Sequence, residues 1–213
     1  MDECCETKGS ELAAMRESQR RVLVTVLLVN AAMFFVEFGA GLLSGSTALL
    51  GDSLDMLGDS FVYGFSLYVL HRSQVWRARA ALLKGLIMAA FGVGVLAEAA
   101  FRLRAGVPPL APAMAVVGAL ALGTNTYCFL LLWRHRADDI NLRSTWLCSR
   151  NDLVANSAVL GAAALVAWSG SIWPDLVVGV GIAGLFLRTA FVVLRDSVAE
   201  LTRARVVPLE RVD

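Results

Sequence analysis

The chain has 213 residues, of which 57% are hydrophobic and 17% charged, with a formal net charge of +1. A water-soluble domain carries about 25% charged residues. These proportions, with a mean hydropathy of +0.65, exclude a soluble globular fold and place the chain in a lipid bilayer. The near-neutral balance leaves no basic excess for binding nucleic acid.

The first segment, MDECCETKGSELAAMRESQR, is polar and lacks the apolar core of a secretory leader. It contains the run Asp2, Glu3, Cys4, Cys5 and Glu6, which reads either as a capture site for soft cations or as a polar tail that contains cysteine. Adjacent cysteines rarely suit a structural disulfide, so Cys4 and Cys5 are expected to be thiols in a reducing cytosol. Six apolar stretches of bilayer-crossing length follow, at residues 22–43, 47–70, 80–101, 110–133, 145–168 and 173–194. Ser44-Gly45-Ser46 separates the first two and Ser169-Gly170-Ser171-Ile172 the last two, each a tight hairpin.

Basic residues set the orientation. Arg16, Arg20 and Arg21 precede span 1; Arg72, Arg77 and Arg79 lie between spans 2 and 3. Arg134, Arg136 and Arg143 lie between spans 4 and 5, and Arg195, Arg203 and Arg205 follow span 6, whereas the opposite side has only Arg102 and Arg104. The positive-inside bias predicts an all-α membrane protein with six transmembrane helices and both termini cytoplasmic. The expected organisation is a cytoplasmic N-terminal segment with the cysteine pair (residues 1–20), a six-helix membrane domain (21–198) and a short cytoplasmic tail (199–213) too small to bury a core.

Span 2 is unusual because it carries Asp52, Asp55 and Asp59. Each carboxylate at a helix centre costs roughly 2.5–3.5 kcal/mol on insertion scales, so a bound metal ion or proton is expected to offset them. Asp55 and Asp59 are four residues apart and share one helix face, and Cys148 and Asp152 repeat that spacing in span 5, with Asn156 a turn further on. If spans 2 and 5 face each other, three carboxylates and a thiolate converge, a donor set that suits a tetrahedral divalent ion. Asp52 is either a helix-start residue or an accessory ligand, and Asn156 is a second possible accessory.

The other intramembrane polar groups carry weaker signals. Asn30 and Glu37 share a face of span 1. Asn125, with Thr124 and Thr126, is expected to hydrogen-bond a neighbouring helix. Glu98 is placed to pair with Arg102, and Asp175, after Pro174, is expected to serve structurally at the start of span 6. Arg150 is expected to snorkel or pair with an acid, and Cys128 to pack as an apolar residue. His71 and His135 sit at cytoplasmic loop edges and are expected to be solvated. Gly39, Gly41 and Gly45, Gly92 and Gly94, and Gly179, Gly181 and Gly184 are expected to allow close helix packing.

GSTALLGDSLDMLGDS (residues 45–60) resembles the second-span signature of the cation diffusion facilitators, with two metal ligands four residues apart. RSTWLCSRNDLVANSAVL (143–160) resembles their fifth-span signature, and PDLVVGVGIAGLFLRTAFVVLRDSVAEL (174–201) is similar to their sixth span and its exit. The likeness covers about residues 20 to 200. It matches Asp55 and Asp59 to the first ligand pair and Asp152 to the second carboxylate of the fifth-span pair. Cys148 stands where the family commonly has histidine, and Asp52 matches an acid not usually counted as a ligand. The resemblance implies a homodimeric transporter that exports divalent metals in exchange for protons, in a multi-pass bacterial inner membrane location.

The chain departs from that family in lacking its cytoplasmic C-terminal domain and a histidine-rich loop between spans 4 and 5, so the expectation is a short form. Cysteine for histidine shifts the site towards softer ions, making Zn²⁺ and Cd²⁺ the expected cargo, with Pb²⁺ or Hg²⁺ plausible. The alternative is a non-transporting membrane subunit that binds or senses metal. No Ser/His pair at catalytic spacing and no Gly-rich phosphate loop is present, so a secondary transporter rather than an enzyme is expected, and no resident cofactor is called for.

Overall fold

The computed structural model describes residues 3–69, 74–134 and 140–206, with the backbone alone described for 3–20, 62–63, 65–69, 74–75, 77, 140–151 and 203–206. The helices are α1 (Glu3–Ser44), α2 (Thr47–Val69), α3 (Gln74–Ala105), α4 (Ala111–Arg134), α5 (Ile140–Ser169) and α6 (Trp173–Val206). They coincide with the six expected spans and overrun several of them. α1 has 42 residues, about 63 Å at 1.5 Å per residue, and only Arg21–Ser44 within it is apolar enough to cross a bilayer.

Apolar membrane-crossing segments also occur in α3, α4, α5 and α6. The remaining helix, α2, has 23 residues, long enough to span at about 35 Å, but its carboxylates lower its apolarity. α2 tolerates them because of its position. It packs against α1, α3, α5 and α6, and residues 46–54 are buried without a break. The peripheral helices show the opposite pattern: Leu43 and Trp168 are 87% and 86% exposed, as side chains facing lipid tails are. The interior holds Ala48, Leu49, Met114, Val159 and Ile182 in one cluster, and Leu50, Leu54, Met88 and Phe186 in another.

The three hairpins gather at one end of the bundle. Gly45 (φ 78°) and Gly170 (φ 62°) take the left-handed conformation that ends a helix without steric cost. The Leu110 amide donates to the Ser44 carbonyl at 2.9 Å, joining the α3–α4 connection to the α1–α2 hairpin. Arg102 pairs with Glu98 at 2.8 Å, as the i, i+4 spacing predicts, and also donates to the Leu42 carbonyl at 3.4 Å.

Asp175 is structural, as expected, but its carboxylate serves a different helix from its own. It accepts from Ser46 Oγ at 2.6 Å, the Thr47 amide at 2.7 Å and the Ala48 amide at 3.0 Å. Ser46 Oγ in turn accepts from the Leu49 amide at 3.1 Å, the geometry of an N-cap. A carboxylate from α6 therefore neutralises the amide end of α2, whose first turn is fully enclosed. The helix-start role considered for Asp52 thus falls to Ser46 and Asp175.

Close approach of α2 and α6 depends on Gly51 and Gly179. A Cβ added at Gly51 would stand 3.0 Å from the Gly179 carbonyl oxygen, and one at Gly179 would overlap the Thr47 backbone. Gly41 and Gly92 are likewise filled against by Leu50 and Leu187. The packing role expected for Gly39, Gly94, Gly181 and Gly184 is not found: a Cβ at any of these meets nothing within 4 Å, because they lie on outward faces. Gly51, which sequence spacing did not single out, makes the contact instead.

Asp175→Ala removes three hydrogen bonds to a carboxylate at the buried start of α2 and is expected to cost about 2 kcal/mol. Thermal unfolding in detergent should show a lower midpoint than wild type, with Asp175→Asn intermediate; an unchanged midpoint would count against the cross-helix cap. Gly179→Leu forces α6 away from the α2 backbone and should reduce folded yield, whereas Gly181→Leu, on an outward face, should not.

Candidate functional site

The polar constellation is built on α2 and α5. Asp55 lies eight residues after Thr47 and Asp59 twelve, so Asp59 sits about 18 Å along the axis, near the middle of α2. Asp55, Asp59 and Asp152 are half-buried, while Asp52 and Asn156 are fully buried. Electrostatic interactions connect Asp152 on α5 to Asp59, Asp55 and Asp52 on α2, and connect Asp55 to Asp59. The two helices thus bring together the carboxylates that spacing placed on their facing sides.

Asn156 provides a direct bond between these helices. Its Nδ2 donates to the Asp152 carbonyl oxygen at 2.8 Å, one turn back on its own helix, and to Asp52 Oδ1 at 3.4 Å across the gap. Asp52 is held on the same side of α2 as Asp55 and Asp59, one turn nearer the hairpin end, with Oδ2 unpartnered.

Cys148 lies on the α5 helix one turn before Asp152, but its side chain falls outside the described residues. Cys4 and Cys5 lie on α1 and are placed likewise, as is Arg150 on α5; His71 and His135 also lie outside the described residues. Among the described residues no three of His, Cys, Asp and Glu stand close enough together to hold a metal ion. The three aspartates are therefore gathered around a common region without being closed into a ligand shell.

Other polar groups fall differently from expectation. Thr124 and Thr126 bond carbonyls of their own helix, at Leu120, Ala121 and Leu122, rather than a neighbour. Short hydroxyl side chains reach back one turn more readily than across a helix interface. Asn125 is buried with its Nδ2 unpartnered, and Asn30 donates to its own Val26 carbonyl at 2.9 Å. Cys128 packs with Val22, Val26 and Leu132, the apolar role expected for it. It also interacts electrostatically with Asp59 and Asp152, which puts α4 beside the constellation; spacing within span 4 could not signal this because no acid accompanies it there. Glu37, fully enclosed on α1, interacts with Asp52 and Asp55. An acid in the middle of an apolar span was the signal for it, and its partner lay on another helix.

Residues 23–202 match the cation efflux transmembrane domain. The chain is 28% identical over 208 residues to the zinc transporter ZitB of Escherichia coli, covering 91% of this chain and 66% of that protein. It is 22% identical over 189 residues to the metal cation efflux system protein CzcD of Cupriavidus metallidurans, covering 83% and 60%. Against the cadmium, cobalt and zinc/H(+)-K(+) antiporter of Bacillus velezensis it is 23% identical over 198 residues, covering 85% and 62%. The chain thus spans just under two thirds of the length of these relatives. Their bacterial sources and the long apolar helices agree with a multi-pass protein of the inner membrane. With most of its length matched by that domain, the chain belongs to the cation efflux family, the cation diffusion facilitators.

Proposed function

We propose that the chain exports divalent heavy-metal cations of the Zn²⁺ and Cd²⁺ type from the cytosol in exchange for protons, by alternating access. The observation that carries this reading is the placement of Asp55 and Asp59 on the central helix α2, which packs against the α5 helix bearing Asp152 and is bonded to it through Asn156 and Asp52. Buried carboxylates on facing helices mark a cation path more readily than a packing contact, because each is costly in hydrocarbon without a counter-charge. The relatives are named as a zinc transporter, a metal cation efflux protein and a cadmium, cobalt and zinc antiporter, which agrees with this cargo.

In the proposed cycle Asp55, Asp59, Cys148 and Asp152 bind the metal from the cytosolic side. The ligands must lose protons to bind, so metal and protons compete for the same atoms. Outward opening exposes the site, protonation of carboxylates and thiol releases the ion, and the proton gradient sets the direction. Two copies of the chain are proposed to work as a homodimer.

Reconstituted protein under an imposed pH gradient should take up Zn²⁺ and Cd²⁺, and Asp59→Ala or Asp152→Ala should reduce uptake at least tenfold while leaving the unfolding midpoint close to wild type. Uptake retained in both variants would remove these residues from the site. Metal binding without flux in wild type would favour a binding or sensing subunit instead. Cys148→His replaces a soft donor by imidazole and should lower the Cd²⁺/Zn²⁺ uptake ratio; an unaltered ratio would take the thiol out of the ligand set.

A further inference from the structure

Glu37 has no part in the cycle above, yet it is 0% exposed and neither of its carboxylate oxygens has a hydrogen-bond partner. Asp52 is equally enclosed and its Oδ2 is unpartnered. Asn156, also 0% exposed, commits its Nδ2 to Asp52 Oδ1 and the Asp152 carbonyl, which leaves its Oδ1 unpartnered as well. The amide orientation is fixed by those two acceptors, since a flip would set oxygen against oxygen. Three side chains from α1, α2 and α5 thus present four orphaned oxygens in the interior: Glu37 Oε1 and Oε2, Asp52 Oδ2 and Asn156 Oδ1. Glu37 lies one turn before Gly41, which packs against Leu50 of α2, so it stands at the level of this group, and it interacts electrostatically with Asp52 and Asp55.

Orphaned polar atoms are rare in folded interiors, and several in one place call for an occupant. Glu37, Asp52, Asp55, Asp59 and Asp152 form one chain of interacting carboxyl groups through this interior.

We propose that Glu37, Asp52 and Asn156 form a second, all-oxygen site for a divalent cation, one helical turn from Asp55 towards the hairpin end of α2. This rests on the reading that the chain moves divalent ions, and it assigns the residues that receive the ion on its way out. Oxygen donors hold a borderline or soft ion less firmly than a set containing thiolate. An ion passed from the Cys148-bearing set to this one is therefore held more loosely as it nears the outer face, and adjacent sites of moderate affinity favour release.

The test is the number of Zn²⁺ ions bound per chain by the full-length protein in detergent, measured by equilibrium dialysis. Glu37→Gln and Asp52→Asn, both isosteric, should each bind one ion fewer than wild type. Asp59→Asn should also lose one, and Glu37→Gln combined with Asp59→Asn should lose two. Wild-type counts in both Glu37→Gln and Asp52→Asn would overturn the second site, including the case where Glu37→Gln changes only the pH dependence of binding and so acts as a proton carrier. A double variant that loses no more than either single variant would also overturn it, by showing one shared site. Loss in Glu37→Gln with full binding in Asp59→Asn would leave this site standing and remove the proposed inner one.

Discussion

Carboxylates inside hydrocarbon are the constraint on which the rest of the architecture depends. Each is costly unless partnered or solvated, and α2 alone carries Asp52, Asp55 and Asp59. The bundle answers by making α2 its central helix, in contact with α1, α3, α5 and α6, so that the lipid-facing work falls to its neighbours. A central helix must also begin inside the protein, where its free amides meet no water. Asp175 of α6 and the Ser46 hydroxyl meet that need, and Gly51 against Gly179 lets the two backbones close upon each other. The cap and the glycine contact, which bind no candidate metal ion themselves, are thus what place the carboxylates.

Much of this was legible in the sequence where the signal is local. Length and apolarity located the six helices, glycine and serine marked the tight hairpins, and i, i+4 spacing predicted the Glu98–Arg102 pair. The same spacing placed Asp55 with Asp59 on one face of α2, and the contact between α2 and α5 meets the condition under which Asp152 would join them. What was not legible is the register between helices. Periodicity states which face a residue occupies but not what stands opposite. Asp175 was readable as a helix-start acid, yet its bonds go to α2. Gly39, Gly94, Gly181 and Gly184 resemble packing glycines as strongly as Gly179 does, and only the docked bundle separates them. Asp52 could be read from its place near the hairpin either as a helix-start residue or as an accessory ligand, and only the fold shows it enclosed beside Asn156.

The polar interior is graded along α2. Towards the hairpin end it is sealed, all-oxygen and rich in orphaned atoms at Glu37, Asp52 and Asn156. Further along, Asp55, Asp59 and Asp152 are half-buried. The cysteine on α5 is what distinguishes the proposed ligand set of this chain.

The central claim is that the metal is held between α2 and α5 by carboxylates together with the Cys148 thiolate. X-ray absorption at the cadmium edge of the loaded protein tests it directly, because sulfur and oxygen scatter at separable distances. The account predicts a first shell of oxygen donors with one sulfur, and an all-oxygen shell in Cys148→Ser. A wild-type shell without sulfur, or one that keeps its sulfur in Cys148→Ser, would contradict it.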